Sequence, residues 1–195
     1  MPDMRPALAT LAVTALLTGA CTPSPPPEYV NLPVSAESAG LGDPTRGAIL
    51  ASSYAFGTPS SLAGDPAAAA QALAQLEYLT VELGFGGPWR DMQPGVSVEL
   101  RQARAETRQA LGFRGDAPPQ VAVNALYDAA AALRRNDRAA AGTALAALAP
   151  QGGTDAALAR LSDLPPLPRA ASATARARDA LNRRDNDRNQ RERLF

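Results

Sequence analysis

Three times in this chain a glycine and an aspartate stand just ahead of a proline: Gly42-Asp43-Pro44, Gly64-Asp65-Pro66 and Gly115-Asp116-Ala117-Pro118. An aspartate carboxylate accepts from the unpaired N–H groups of a helix's first turn. Proline suits the first helical position, where an N–H would have no partner. Each motif therefore marks a helix start. Behind the second of them, and again over residues 96–111, apolar residues recur at alternating spacings of four and three, the mark of one buried helical face.

Ala69, Leu73, Leu76, Thr80 and Leu83 form such a stripe on a helix predicted over residues 66–83, with Gln71, Gln75 and Glu82 off it. Val96, Leu100, Ala103, Thr107 and Ala110 form a second over residues 96–111, with Arg101, Arg104 and Arg108 on the other face. A helix over residues 44–56 turns Ile49 and Phe56 one way. One over residues 118–135 buries Val123, Leu126, Ala130 and Leu133. Asn136-Asp137 then turns the chain into a helix over residues 138–148, with Ala141, Leu145 and Leu148 inward. Thr154 or Asp155 caps a short helix carrying Leu158 and Leu161. A last helix starts near Arg169 with alanines and Leu181 on its apolar side. No stretch alternates long enough to form a sheet. The expected fold is all-α, an irregular bundle of five to seven alanine-rich helices.

Alanine is the best helix former but buries little area, and 43 of the 195 residues are alanine. The bundle should therefore have thin, closely packed helices around a modest core. There is no histidine, and all 19 basic residues are arginine. Histidine-dependent triads, lysine nucleophiles and the usual zinc sites are thereby excluded, and no metal or cofactor is expected. The single cysteine allows no intramolecular disulfide. Only carboxylate chemistry remains for catalysis. Glu77, Glu82, Glu99 and Glu106 sit on predicted helices, where surface charge is the ordinary role.

That cysteine closes the run Leu16-Leu17-Thr18-Gly19-Ala20-Cys21, behind Arg5 and an 11-residue apolar stretch, residues 7–17. The stretch has the length of a signal-peptide core and is too short to span a bilayer, which takes about 20 apolar residues. The segment resembles the lipobox of bacterial lipoproteins. The resemblance covers residues 1–21 and implies a signal peptide over residues 1–20, cleavage before Cys21 and acylation of its thiol. Asp3 departs from the basic pattern of such leaders, and Met4 is the expected translation start. Two or more acyl chains give stable membrane attachment. Thr22 follows the cysteine instead of aspartate, which resembles the pattern of outer-membrane lipoproteins facing the periplasm. Residues 21–42 then read as a proline-rich tether, and residues 43–182 as the helical domain.

Two stretches are candidate binding elements. The loop from Gly84 to Met92 holds Phe85, the sole tryptophan Trp89, and Arg90. These form either an aromatic surface for a ligand or a cap on a core short of large side chains, and composition favours the cap. Residues 183–195 form a polar tail with Arg183, Arg184 and Arg188, predicted to fray or be disordered because nothing between Arg183 and Arg193 is apolar. Residues 166–195 carry eight arginines and four acids, whereas residues 22–165 carry ten arginines and fourteen acids. A basic end on an acidic body suits an interaction tail, although solvation or internal pairing is the commoner use of such charges. The expected role is that of a non-catalytic envelope lipoprotein. Its membrane contact is through Cys21, and its partner is an envelope protein or anionic envelope polymer rather than nucleic acid. The alternative is a cell-wall-active enzyme with a carboxylate acid or base.

Overall fold

The computed structural model describes residues 28–33, 42–85, 89, 92, 94–149 and 153–193. Cys21, Arg90 and the remainder of the N-terminal segment lie outside these. Among the described residues there are seven α-helices and no strand: α1 Pro44–Gly57, α2 Pro66–Phe85, α3 Pro94–Leu111, α4 Pro119–Arg134, α5 Arg138–Leu145, α6 Thr154–Ser162 and α7 Pro168–Glu192. A 3₁₀ turn, Pro59–Ser61, joins α1 to α2. No helix among them is long and apolar enough to cross a membrane.

Two of the three aspartate starts work as predicted. Asp43 Oδ1 accepts from the N–H groups of Thr45 at 2.9 Å and Arg46 at 3.2 Å, and Asp65 Oδ1 accepts from Ala68 at 2.9 Å. The third does not. The cap of α4 is Pro118, and Asp116 instead receives Arg114 Nε at 3.0 Å and Nη2 at 2.9 Å. The extra residue, Ala117, moves this carboxylate out of register with the first turn. At α6 the cap is Gly153, with no side-chain bond from Thr154 or Asp155.

Helix α2 is the axis of the bundle. It packs against α1, α3, α4 and α6, and its predicted stripe of Ala69, Leu73, Leu76, Thr80 and Leu83 is buried. So are most positions off the stripe, including Gln75 and Glu77, because a helix covered on several sides has no solvent face. Helices α4 and α5 form the expected hairpin. Asn136 takes the left-handed conformation at φ +58, and Asp137 Oδ1 accepts from Ala140 N at 2.9 Å. Val123, Leu126, Ala130, Ala141, Leu145 and Leu148 are all buried, and Leu133 is half-buried.

Two charges predicted for the surface are in the core. Arg108 Nε donates to Glu77 Oε1 at 2.6 Å, and Nη2 donates to Oε2 at 2.8 Å. Arg108 Nη1 reaches the carbonyls of Gly115 at 2.8 Å and Ala117 at 2.9 Å. The guanidinium thus ties α3, α2 and the turn before α4 together. It cannot lie on an outer face because α3 is covered by α2, α6 and α7 together.

The last helix corrects the predicted frayed tail. Helix α7 packs on α1 and α3, burying Ala170, Ala173, Thr174, Ala177, Ala180 and Leu181. Its first turn is capped from α3, where Glu106 accepts from the N–H groups of Arg169 at 3.2 Å and Ala170 at 3.0 Å. It then continues to Glu192 without an apolar residue. Polar contacts hold this second half: Asp185 pairs with Arg46, and Arg188 with Glu192 one turn on.

The predicted tether is likewise docked in part. Val30 and Leu32 are buried, and Glu28 Oε2 meets Arg104 Nη1 at 3.0 Å. The Gln120 amide holds both the N–H of Asn31, at 2.7 Å, and its carbonyl, at 3.0 Å. Alternating apolar residues at 30 and 32 give this short extended piece one face to bury.

Candidate functional site: an arginine cleft beside Trp89

The buried face of α7 can be followed past the core. Positions 173, 177 and 180 carry alanine. The same three-and-four spacing then reaches Arg184, Arg188 and Arg191, with Arg183 and Asp187 alongside. Where the helix leaves the core, its inward stripe thus changes from alanine to arginine. Opposite it stand the first turn of α1, with Asp43 and Arg46, and the residues Trp89 and Met92 between α2 and α3. Together they line a cleft of about 590 Å³.

Trp89 is only 5% exposed and belongs to the hydrophobic core. It is therefore a core cap and not an open aromatic platform. Its ring is the seat of Arg184, whose guanidinium lies 4.4 Å from the ring centroid. Such a cation–π contact contributes about 0.5–1 kcal/mol at exposed sites and more when desolvated. Arg184 Nη1 is shut off from solvent there and has no hydrogen-bond acceptor among the described residues. An unpaired buried donor costs stability, so this atom is one that an entering acceptor would satisfy.

The neighbouring charges are unequally matched. Arg46 grips Asp185 in a two-pronged pair, Nη1 to Oδ2 at 2.7 Å and Nη2 to Oδ1 at 2.6 Å. That hydrogen bond, ahead of the charge attraction itself, holds the Asp185 carboxyl below its ordinary pKa and raises that of Arg46. Arg188 Nε meets Glu192 Oε1 at 3.2 Å. Among the described residues neither Arg184 nor Arg191 has an ion-pair partner. Among the described residues the cleft lining holds five arginines against three aspartates, a net positive set.

Trp89, Arg183, Arg184 and Arg188 were separate candidates in the sequence, in a loop and a tail, and the fold brings them together. Phe85 ends α2, with its side chain outside the described set. Arg46 was missed, although one cue was present. A cation in the first turn of a helix opposes the helix dipole, which suggests that a carboxylate from elsewhere meets it.

The four candidate glutamates do not gather. Glu77 is bound by Arg108, Glu99 Oε2 lies 3.1 Å from Arg176 Nε, and Glu106 caps α7. Glu82 is half-buried beside Asp43. Burial first, and the Asp43 charge second, raise its pKa. No group of carboxylates among the described residues could hold a metal ion. A second, apolar groove of about 340 Å³ lies between the 3₁₀ turn and the start of α7, lined by Phe56, Leu62, Leu164 and Leu167 among others. Comparison with protein-family models, curated proteins and solved structures finds no match to this chain.

Proposed function

We propose that this is a lipid-anchored envelope protein with a non-catalytic binding role. Cys21 holds it at the membrane, and the arginine cleft takes up an anionic group from an envelope polymer or partner. The observation that carries the reading is the convergence of Arg183, Arg184, Arg188 and Arg191 with Trp89 around one net-positive cleft. Arginine forks fit phosphates and carboxylates, and both are common in envelope polymers. The lipobox resemblance supplies the address. Because residues 28–32 dock on the domain, six residues, 22–27, separate Cys21 from Glu28, the first docked residue. Seven steps of about 3.5 Å reach no more than about 25 Å, which keeps the domain close to the membrane surface.

Two measurements test the two halves. Metabolic labelling with a fatty-acid probe should mark the wild-type protein and not Cys21→Ser, and equal labelling of both refutes the anchor. Cosedimentation of an unacylated chain beginning at Thr22 with isolated envelopes should fall with added salt, because exposed charges are screened over about 8 Å at physiological ionic strength. It should also fall on Arg191→Gln. Sedimentation insensitive to both removes the binding role from the cleft.

A further inference from the structure

The composition of the cleft narrows the anion it fits. Asp185 and Glu192 already match Arg46 and Arg188, whereas Arg184 and Arg191 have no ion-pair partner among the described residues. Among the described residues the lining holds five arginines and three aspartates, and Glu192 takes up Arg188, so Arg184 and Arg191 are the two cations with no ion-pair partner that face a ligand. A carboxylate or a phosphodiester brings one negative charge. A phosphomonoester brings about −1.5 to −2 at pH 7, with three acceptor oxygens and a second pKa near 6. The inner donor, Arg184 Nη1, is buried and lacks an acceptor among the described residues. Moving its guanidinium off the indole of Trp89, on which it now lies 4.4 Å from the ring centroid, would present that donor to the cleft. The cleft volume, about 590 Å³, is several times that of a phosphate group and leaves room for what the phosphate is attached to.

We propose that the cleft binds the phosphomonoester group of an envelope component, with Arg184 and Arg191 as the paired cations and Trp89 as the seat that Arg184 leaves on binding. The inference rests on the anion-binding reading above and adds the class of anion. The group is carried either by a lipid headgroup or by a soluble phosphorylated molecule such as a sugar phosphate.

The sole tryptophan reports on the site directly. The full chain in detergent micelles is titrated with methyl phosphate, dimethyl phosphate and acetate at constant ionic strength, followed by Trp89 fluorescence and by calorimetry. Methyl phosphate should bind about tenfold or more tightly than the two monoanions, the scale of one charge-assisted hydrogen bond. Its affinity should drop between pH 7.5 and pH 5, as the ligand loses its second charge while the arginines keep theirs. Arg184→Gln and Arg191→Gln should each weaken it by about tenfold or more, and Arg101→Gln, on the exposed face of α3, should not. Thermal melting confirms that the variants fold, and Arg191, exposed at the far end of α7, is the variant least able to disturb the core. Micelles doped with phosphatidic acid distinguish the source. A stronger response than to methyl phosphate supports a lipid headgroup, and an equal or weaker one supports a soluble monoester. Equal affinities for acetate and methyl phosphate overturn the phosphomonoester assignment and leave the anion cleft standing. No saturable response to any of the three anions, in a protein that melts normally, overturns both.

Discussion

Glu77 on α2 and Arg108 on α3 face each other in the core through two hydrogen bonds of 2.6 and 2.8 Å, with side chains only 4% and 7% exposed. Two backbone carbonyls take up another guanidinium nitrogen, so the pair is closed to further ligands and serves the fold. Removing one member strands the other. Glu77→Leu or Arg108→Met alone should cost about 3–5 kcal/mol, and the double substitution should recover much of that, since apolar replacements of buried pairs are often neutral. Chemical denaturation of the four proteins checks this. Single substitutions costing under about 0.5 kcal/mol would place the pair at the surface.

Leu126 sits mid-stripe on α4 and is 1% exposed, with alanines at most of its neighbouring inward positions. Small neighbours cannot swing in to fill a void. Leu126→Ala should therefore destabilise the domain by about 2–5 kcal/mol. An unchanged melting temperature would show that Leu126 is not packed as described.

Stability should respond to pH with opposite signs at two carboxylates. Burial raises the pKa of Glu82 in the folded state, so folding loses stability as pH climbs from the unfolded carboxylate range through the raised folded value. Glu82→Gln should raise the melting temperature at pH 7, and the gain should disappear below about pH 4. The Asp185 pKa is lowered by Arg46, so its contribution is present above the unfolded pKa and lost as pH falls through the folded one. Asp185→Asn should lower the melting temperature at pH 7 and converge with wild type in strong acid. Parallel melting curves across pH for either variant would contradict the assigned environments.

Ending the chain after Asn182 removes the partner of Arg46 and uncovers one face of Trp89. The Arg46–Asp185 pair is about one-third exposed, so it contributes about 0–1 kcal/mol, and the cation–π contact about 0.5–1 kcal/mol. The shortened protein should still fold, with a stability loss of about 0.5–2 kcal/mol. Tryptophan emission should shift to the red as the ring meets water. Unchanged emission would mean that Arg184 does not cover the indole.

Much of the helical plan is legible in the sequence, because helix starts and buried stripes are local. Asp43 and Asp65 cap the turns next to them, and the stripe from Ala69 to Leu83 needs only the period of one helix. What is not legible depends on a second segment. The Glu77–Arg108 pair spans 31 positions, and Arg46–Asp185 spans 139. A polar run such as residues 183–192 looks unfoldable when judged by its own apolar content. Its order comes from partners on α1 and beside α3. The cleft was hidden for the same reason: its tryptophan and its α7 arginines lie 94 to 102 residues apart, and only the direction of α7 aligns them.

The alanine stripe at 170, 173, 177 and 180 has an evolutionary consequence. A change in either of the first two bases of an alanine codon yields valine, threonine, serine, proline, glycine, aspartate or glutamate. In a contact set by backbone proximity most of these wedge α7 away from α1 and α3, break the turn or bring in an unwanted charge, and glycine loosens the helix. This seam can therefore explore almost no neighbouring sequences. The outer faces, which touch little, are left to absorb the drift. Related chains should be recognisable by where their small residues fall along the last helix, even after the side chains around them have been exchanged.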